Sequence, residues 1–477
     1  MKFNFKILLI LVLISAFFLY PISHLMPRHV DSWIVISEAD HLIKSKTTNF
    51  TEPFTNERLN YPPGTFLLIS TIASITNIDL INLDYLLRII NFIILSLLFY
   101  ILSKELFNNE KIAVTTTIFT TLLLTDITML GPAYLVPLVY GSILFLLFVI
   151  FLLKEKWILL LLTFITLGLT HTNTIIFTLL GLFIYLLFNK KYWDKYWLML
   201  VMGIIGLILL IITIPLYIIN QNLFNLILFS MIPPFFNFNK LLTYIFIPFF
   251  TLGIYFILKK ENRARKLLIP LILILALEIL SYSILGKGVL IRYRRVMYYI
   301  FLLTPLFVSY GLYSIIRQIE ALLSKFKKLR FIKKFNIILI ISILILLPIS
   351  ISVNLEQRKT DLVYVDEEEH AFLINFGKLY PNEYLTANHL QSYVLPYYNL
   401  KPVQISPGHI GKVLYFDEVG KCFVLRDINC IDKFFQNHSE FKYLYTQTFV
   451  NSTNFTIFYR EEDLIIYKYN PLNTSKN

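Results

Sequence analysis

A multi-span, all-α membrane domain followed by a small α/β domain is the fold class this sequence predicts, on three observations. Of the 477 residues, 57% are hydrophobic, against about 45–50% in an average soluble protein. Only 15% are charged, where about 25% is usual. The apolar residues fall in runs comparable with the ~20 needed to cross a bilayer as a helix, and the composition turns polar after Asn354. Together these exclude a disordered chain, a collagen-like repeat and an ordinary cytosolic enzyme. The net charge of +13 then belongs to loops that set membrane orientation and does not mark a nucleic-acid partner.

Spans are expected near 5–23, 85–103, 112–131, 134–153, 157–170, 174–188, 197–218, 241–258, 267–285, 296–316 and 336–353, eleven in all, within a membrane domain of residues 1–353. The pair 157–170 and 174–188 reads as a hairpin about residues 170–173. Residues 61–78 are apolar but short, and if they spanned, every later loop would change sides. Lys and Arg gather in short cytoplasmic loops. The eleven-span arrangement puts twenty-one of them inside and ten outside before the tail. Residues 61–78 are therefore read as an apolar helix at the outer face, opened by the rigid turn Tyr61-Pro62-Pro63-Gly64. The N-terminus is expected inside and the tail outside. No small-x-small cleavage pattern follows the first span, which is read as an uncleaved anchor.

Two regions lie outside the bilayer, the loop 24–84 and the tail 354–477. The tail alternates in type. Helices are expected at 366–379, 391–398 and 430–437, and strands at 383–387, 402–405, 422–426, 443–447, 456–459 and 464–469. That order predicts a small α/β layer. Glu367, Glu368 and Glu369 read as a solvated helix start. Cys422 and Cys430, eight apart, allow a bridge and equally allow two free thiols. Five Asn-x-Ser/Thr sequons, at Asn49, Asn437, Asn451, Asn454 and Asn473, all fall outside in this topology.

Charges near a membrane are costly and mark functional positions. After the first span come His29 and Asp31, then Glu38, seven residues on and so on the same face of a helix over 31–44. Ile34, Val35 and Ile36 would let that helix lie on the membrane surface. Arg88 marks the outer mouth of the second span, Asp126 the outer third of the third, and Glu278 the ninth; His171 sits in the short outer hairpin. Lys287, Arg292, Arg294 and Arg295 crowd one outer loop, where few cations belong. Four cations there call for an anion, and the forked guanidinium suits a phosphate. Each residue also has a plain structural reading: a loop carboxylate, an interhelical hydrogen bond, a lipid headgroup anchor. No Walker loop, GxGxxG, HExxH or Cys/His cluster occurs, so nucleotide and metal motifs are absent.

This layout resembles the GT-C superfamily of integral-membrane glycosyltransferases, which use polyprenyl-phosphate sugars. The resemblance rests on Asp31 soon after the first span, the 61–64 turn, Arg88 opening the next span, and Arg292-Tyr293-Arg294-Arg295 before a span running into Pro305 and Gly311. In order and rough spacing it covers about residues 1–316. It implies a donor that is a lipid-linked sugar, used as substrate with no cofactor, and an acceptor that is a glycan, lipid or protein. Membrane lipid is the other partner. Asp31 is then the base for the acceptor hydroxyl, and Arg88, Lys287, Arg292, Arg294 and Arg295 bind the donor phosphate. His29, Glu38, Tyr61, Asp126, His171 and Glu278 would contact substrate, and a one-step displacement would invert the anomeric centre. Two departures matter. The tail has no Trp, which sets aside the oligosaccharyltransferase branch with its Trp-Trp-Asp-Tyr-Gly motif. Ser32-Trp33, not a second acid, follows Asp31, which points to a metal-independent member. A transporter or flippase of lipid-linked saccharides is the rival reading, and it would favour internal repeats, which this chain lacks. An envelope-assembly scaffold would need neither Asp31 nor the arginines.

Overall fold

The computed structural model describes residues 26–27, 30–46, 62–122, 134–188, 246–259, 263–285, 293–323, 365–387, 394–402, 422–423, 427–446, 450, 452–461 and 464–470. Within them are twelve α-helices and one five-stranded sheet. The chain divides into two compact units. Residues 23–87 and 134–136 share a unit with residues 362–477.

The first unit takes α3 (Leu80–Phe107) from Arg88 onward, α4 (Glu110–Ile118), α5 (Pro137–Leu153), α6 (Trp157–Thr170), α7 (Thr172–Phe188), α8 (Ile247–Lys259), α9 (Arg263–Leu285) and α10 (Tyr293–Leu323). Leu80–Phe107, Arg263–Ser283 and Arg295–Leu322 are long and apolar enough to cross a membrane. Pro137–Leu153, Trp157–Thr170, Thr172–Phe183 and Ile247–Lys259 are apolar but shorter. Ile158, Leu162, Ile165 and Leu169 form an exposed stripe along α6, with Ile158 77% exposed, as suits a lipid-facing surface. The expected spans 5–23, 197–218 and 336–353 lie outside the described residues.

The third expected span is not one continuous helix. Asn109 caps α4 by accepting from the backbone N–H groups of Lys111 and Ile112, 2.9 and 3.4 Å away. Thr115, Thr116 and Thr117 then turn their hydroxyls back onto the carbonyls four residues earlier, at 2.8 to 2.9 Å. Such back-bonding weakens and bends a helix, and α4 gives way to a 3-10 turn over Phe119–Leu122. The hairpin loop expected over four residues shrinks to His171 alone, an extended residue between α6 and α7. α8 and α10 meet backbone to backbone at two glycines: a Cβ on Gly253 would lie 2.0 Å from the Phe307 carbonyl oxygen, and one on Gly311 2.0 Å from that of Phe249.

The second unit holds α1 (Val30–Ser45), α2 (Gly64–Thr76), the first turns of α3, residues 134–136 and the tail. At 13 residues, α2 is about 20 Å long, shorter than the ~30 Å hydrocarbon core. In the tail, α11 (Glu367–Leu379) starts at a capping box in which Asp366 and Glu369 satisfy each other's backbone N–H groups. The sheet runs β2-β1-β3-β5-β4, with β1 (Tyr384–Thr386), β2 (Lys401–Pro402), β3 (Tyr443–Thr446), β4 (Phe455–Glu461) and β5 (Leu464–Tyr469). β1 lies parallel to β2 and β3, while β5 is antiparallel to β3 and β4.

Three tail expectations change. The helix at 391–398 is a 3-10 turn over Leu395–Tyr398, with Pro396 near its start; residues 391–393 lie outside the described residues. Cys422 and Phe423 are helical, not the start of a strand. The reason is local. Cys422 is bridged to Cys430, its carbonyl accepts from the Asp427 N–H at 3.0 Å, and Asp427 caps α12 (Ile428–Asn437). Glu369 is not solvated but 2% exposed. It accepts the Tyr445 hydroxyl in a short hydrogen bond, and the charge of Glu369, after burial, raises that phenol's pKa. Phe434, Phe435, Leu444, Ile465 and Tyr467 form the core beneath the bridge.

Candidate active site

α1 carries an acid at its start and Lys44 at its end, as the helix dipole favours. It does not lie as an amphipathic ribbon on a surface. Every residue from Ser32 to Ala39 is buried, and Ile34, Val35 and Ile36 are core. Trp33 is the anchor: its indole N–H donates to the Pro27 carbonyl at 3.0 Å, and its ring packs on Tyr397 and Tyr398 at 5.8 and 6.2 Å. Ser32 accepts the Leu135 N–H at 3.2 Å. Asp31 is half-buried on this framework, whereas Glu38 is buried.

Beyond α1 lies an acid–tyrosine cluster that no motif announces. Tyr397 donates to Asp79 at 3.3 Å, and Lys44 pairs with Asp40 at 2.6 Å while donating to Asn399 at 3.4 Å. Burial pushes the Asp40 carboxyl up, with Asp79 adding to the shift and Lys44 and His41 opposing it. Burial likewise lifts the Tyr397 phenol, with Asp79 and Asp40 next. Only neighbours in space reveal this group, since its members come from α1, the start of α3 and the tail.

In the first unit the structure brings two predicted residues together. His171 is buried at the α6–α7 break, and Arg295, half-buried in the first turn of α10, is close enough for its charge to act on His171, Tyr298 and Tyr299. The His171 ring bonds through Nδ1 to the Thr174 hydroxyl at 2.7 Å, and that hydroxyl bonds to the Tyr299 hydroxyl at 2.9 Å. Phe177 stacks on Tyr299 at 4.3 Å. Tyr298 bonds to Ser142 at 2.9 Å, and Ser142 donates to the Leu138 carbonyl. Gly141 makes room for the histidine, since a Cβ there would lie 2.9 Å from the His171 Cβ. Arg88 on α3 and Glu278 on α9 are both buried, at 5% and 4% exposure. His29, Tyr61, Asp126, Lys287 and Arg292 lie outside the described residues; Arg294 is placed on α10 by its backbone alone. No group of three metal-binding side chains occurs among the described residues. Tyr298, Tyr299 and Thr174 escaped the sequence reading because aromatic and threonine side chains in an apolar helix look like packing.

No family profile and no curated protein sequence matches the chain. Solved structures do. The Archaeoglobus fulgidus oligosaccharyltransferase, tethered with an acceptor peptide containing the NVT sequon, matches with TM-score 0.59 and 13% identity over 93% of this chain and 68% of that one. ArnT from Cupriavidus metallidurans in the apo state matches over 97% of both chains, with TM-score 0.55 and 14% identity. The same protein bound to undecaprenyl phosphate matches over the same shares, with TM-score 0.56 and 12% identity. The missing tail tryptophan sets the sequence apart from oligosaccharyltransferases, yet the folds remain alike.

Proposed function

The chain has the fold of the GT-C membrane glycosyltransferases, and from that premise we propose that it moves a sugar from a polyprenyl phosphate to an acceptor on the extracytoplasmic face. One observation carries the reading: the match to ArnT, a protein captured with undecaprenyl phosphate, runs over 97% of both chains. The side chains present suit the chemistry. Asp31 is the base that takes the acceptor hydroxyl's proton as it attacks the anomeric carbon. Arg88 and Arg295, with Lys287, Arg292 and Arg294, hold the phosphate, whose charge grows as the sugar leaves. Displacement in one step inverts the anomeric centre. Ser32 stands where a second acid would be needed for a metal pair, and it accepts a backbone N–H instead, which supports a metal-independent reaction. The donor is a membrane lipid and the acceptor a glycan, lipid or protein. Residues 1–353 serve as the membrane domain and 354–477 as the extracytoplasmic one.

Cells lacking the protein test this directly. Loss of one terminal sugar from the glycan or glycolipid pool is the expected result. Accumulation of an intact lipid-linked precursor on the inner leaflet would replace the transferase with a flippase.

A further inference from the structure

The hydrogen bonds around His171 fix where its proton lies. The backbone N–H of Thr174 donates to Nδ1 at 3.2 Å, so Nδ1 is an acceptor and carries no hydrogen. At the 2.7 Å contact between Nδ1 and the Thr174 hydroxyl, the hydroxyl must then be the donor. Thr174 has one hydroxyl hydrogen and has used it, so Tyr299 donates at the 2.9 Å contact between the two hydroxyls. The chain of donors therefore runs from Tyr299 to Thr174 to His171 and ends on a neutral ring protonated at Nε2. Among the described residues Nε2 has no hydrogen-bond partner. Arg295, whose charge acts on the ring, has no acidic partner among the described residues. No carboxylate is among the charges acting on His171, Tyr298 or Tyr299. Among the described residues, the buried N–H donor of His171 and the half-buried Arg295 thus meet no anion.

We propose that His171, held as its Nε2–H tautomer by Thr174 and Tyr299, donates a hydrogen bond to the phosphate of the lipid donor beside Arg295. This deepens the glycosyl-transfer reading and rests on it. Keeping the ring neutral has a chemical use. A further fixed cation beside the arginines would tighten the hold on the spent lipid phosphate, whereas a neutral donor orients the phosphate without adding charge. Thr174 and Tyr299 are positioning residues.

The test uses the full chain in lipid nanodiscs, with undecaprenyl phosphate as probe and undecaprenol as its uncharged control. A hydrogen bond to a charged group contributes enough that His171→Phe should weaken undecaprenyl phosphate binding by about 10–100-fold. His171→Gln, which keeps an N–H donor, should stay within about threefold of wild type. Thr174→Val and Tyr299→Phe should each cost about 3–10-fold, with undecaprenol binding unchanged. The ¹⁵N-histidine spectrum supplies a readout that holds even where a variant folds poorly. The wild-type signal missing from His171→Gln should be a neutral, Nε2-protonated ring that shifts when undecaprenyl phosphate is added. An Nδ1–H tautomer, an imidazolium, or a His171→Phe chain that binds like wild type while Arg295→Ala does not, would overturn the assignment and leave the transferase reading standing. Equal binding of undecaprenyl phosphate and undecaprenol by the wild type would instead remove the transferase reading itself.

Discussion

Asp31 and Glu38 stand two turns apart on one face of α1, yet Asp31 is half-buried and Glu38 is 5% exposed. A general base must reach an incoming hydroxyl, so accessibility favours Asp31. Asp31→Asn keeps the shape and removes the basic oxygen, and it should lower transfer by about 10²–10⁴-fold without moving the thermal unfolding of the purified chain. Near-wild-type transfer in that variant would take Asp31 out of the mechanism. A second residue-scale expectation concerns His370, whose Nδ1 lies 2.8 Å from the Tyr398 hydroxyl, with the Tyr397 ring stacked at 6.4 Å and Glu367 and Asp79 nearby. Burial, the largest influence, holds its pKa below the ordinary 6.5 against the pull of those two acids. The unfolded chain therefore takes up the proton first, and stability falls as the pH drops below about 6.5, levelling off beneath the folded value. The protection of α11 amides, with exchange rates corrected for their intrinsic pH dependence, should fall on acidification through that value in the wild type and much less in His370→Gln. An equal pH response in both would exclude His370 as the cause. At this scale the sequence made the charged candidates visible, because charge near an apolar run is rare. It hid Tyr299, Thr174 and Asp79, whose roles exist only through partners distant in the chain.

Among the elements, the α8–α10 crossing depends on the smallest side chains. Gly253 and Gly311 each face a backbone carbonyl of the opposite helix, which cannot rotate away as a side-chain tip would. Small residues at such crossings let membrane helices approach closely. Gly253→Ala and Gly311→Ala should each destabilise by about 1–3 kcal/mol through forced separation. Gly168→Ala is the control, because its new methyl would meet only the mobile end of Ile175, at 3.1 Å. Thermal unfolding in detergent should separate the pair from the control; equal tolerance at all three glycines would mean that the crossing does not depend on close backbone contact. Element type followed from hydropathy for most described helices, while the caps at Asp366, Asn109 and Asp427 emerge only in the structure. Boundaries did not follow from it. The threonine run that ends α4 and the bridge that turns Cys422 into a helix are settled by hydrogen bonds and covalent partners, which a count of apolar residues does not register.

For the whole molecule, orientation in the membrane decides whether Asp31 and the donor phosphate can share a compartment. The proposed orientation, with the N-terminus inside and the tail outside, rests on the charge asymmetry of the loops in the eleven-span arrangement, twenty-one cations against ten before the tail. The Cys422–Cys430 bridge is a second and independent argument. Bridges persist in oxidising compartments and are rare in a reducing cytosol, which supports the proposed placement of the tail outside. The proposed placement of α2 at the outer face also matters, because counting it as a span would move most of the twenty-one cations to the outside. A reporter fused after Arg330 should accordingly read as cytoplasmic and one after Glu356 as extracytoplasmic. An impermeant maleimide should leave both cysteines of intact cells unlabelled until an impermeant reductant opens the bridge, and should afterwards label Cys430, the less buried of the two. Reporters on the opposite sides would put Asp31 in the cytoplasm. A Cys430 that resists the impermeant maleimide after reduction but reacts with a permeant one would place the tail there too, and a transferase acting on the extracytoplasmic face could not then use either.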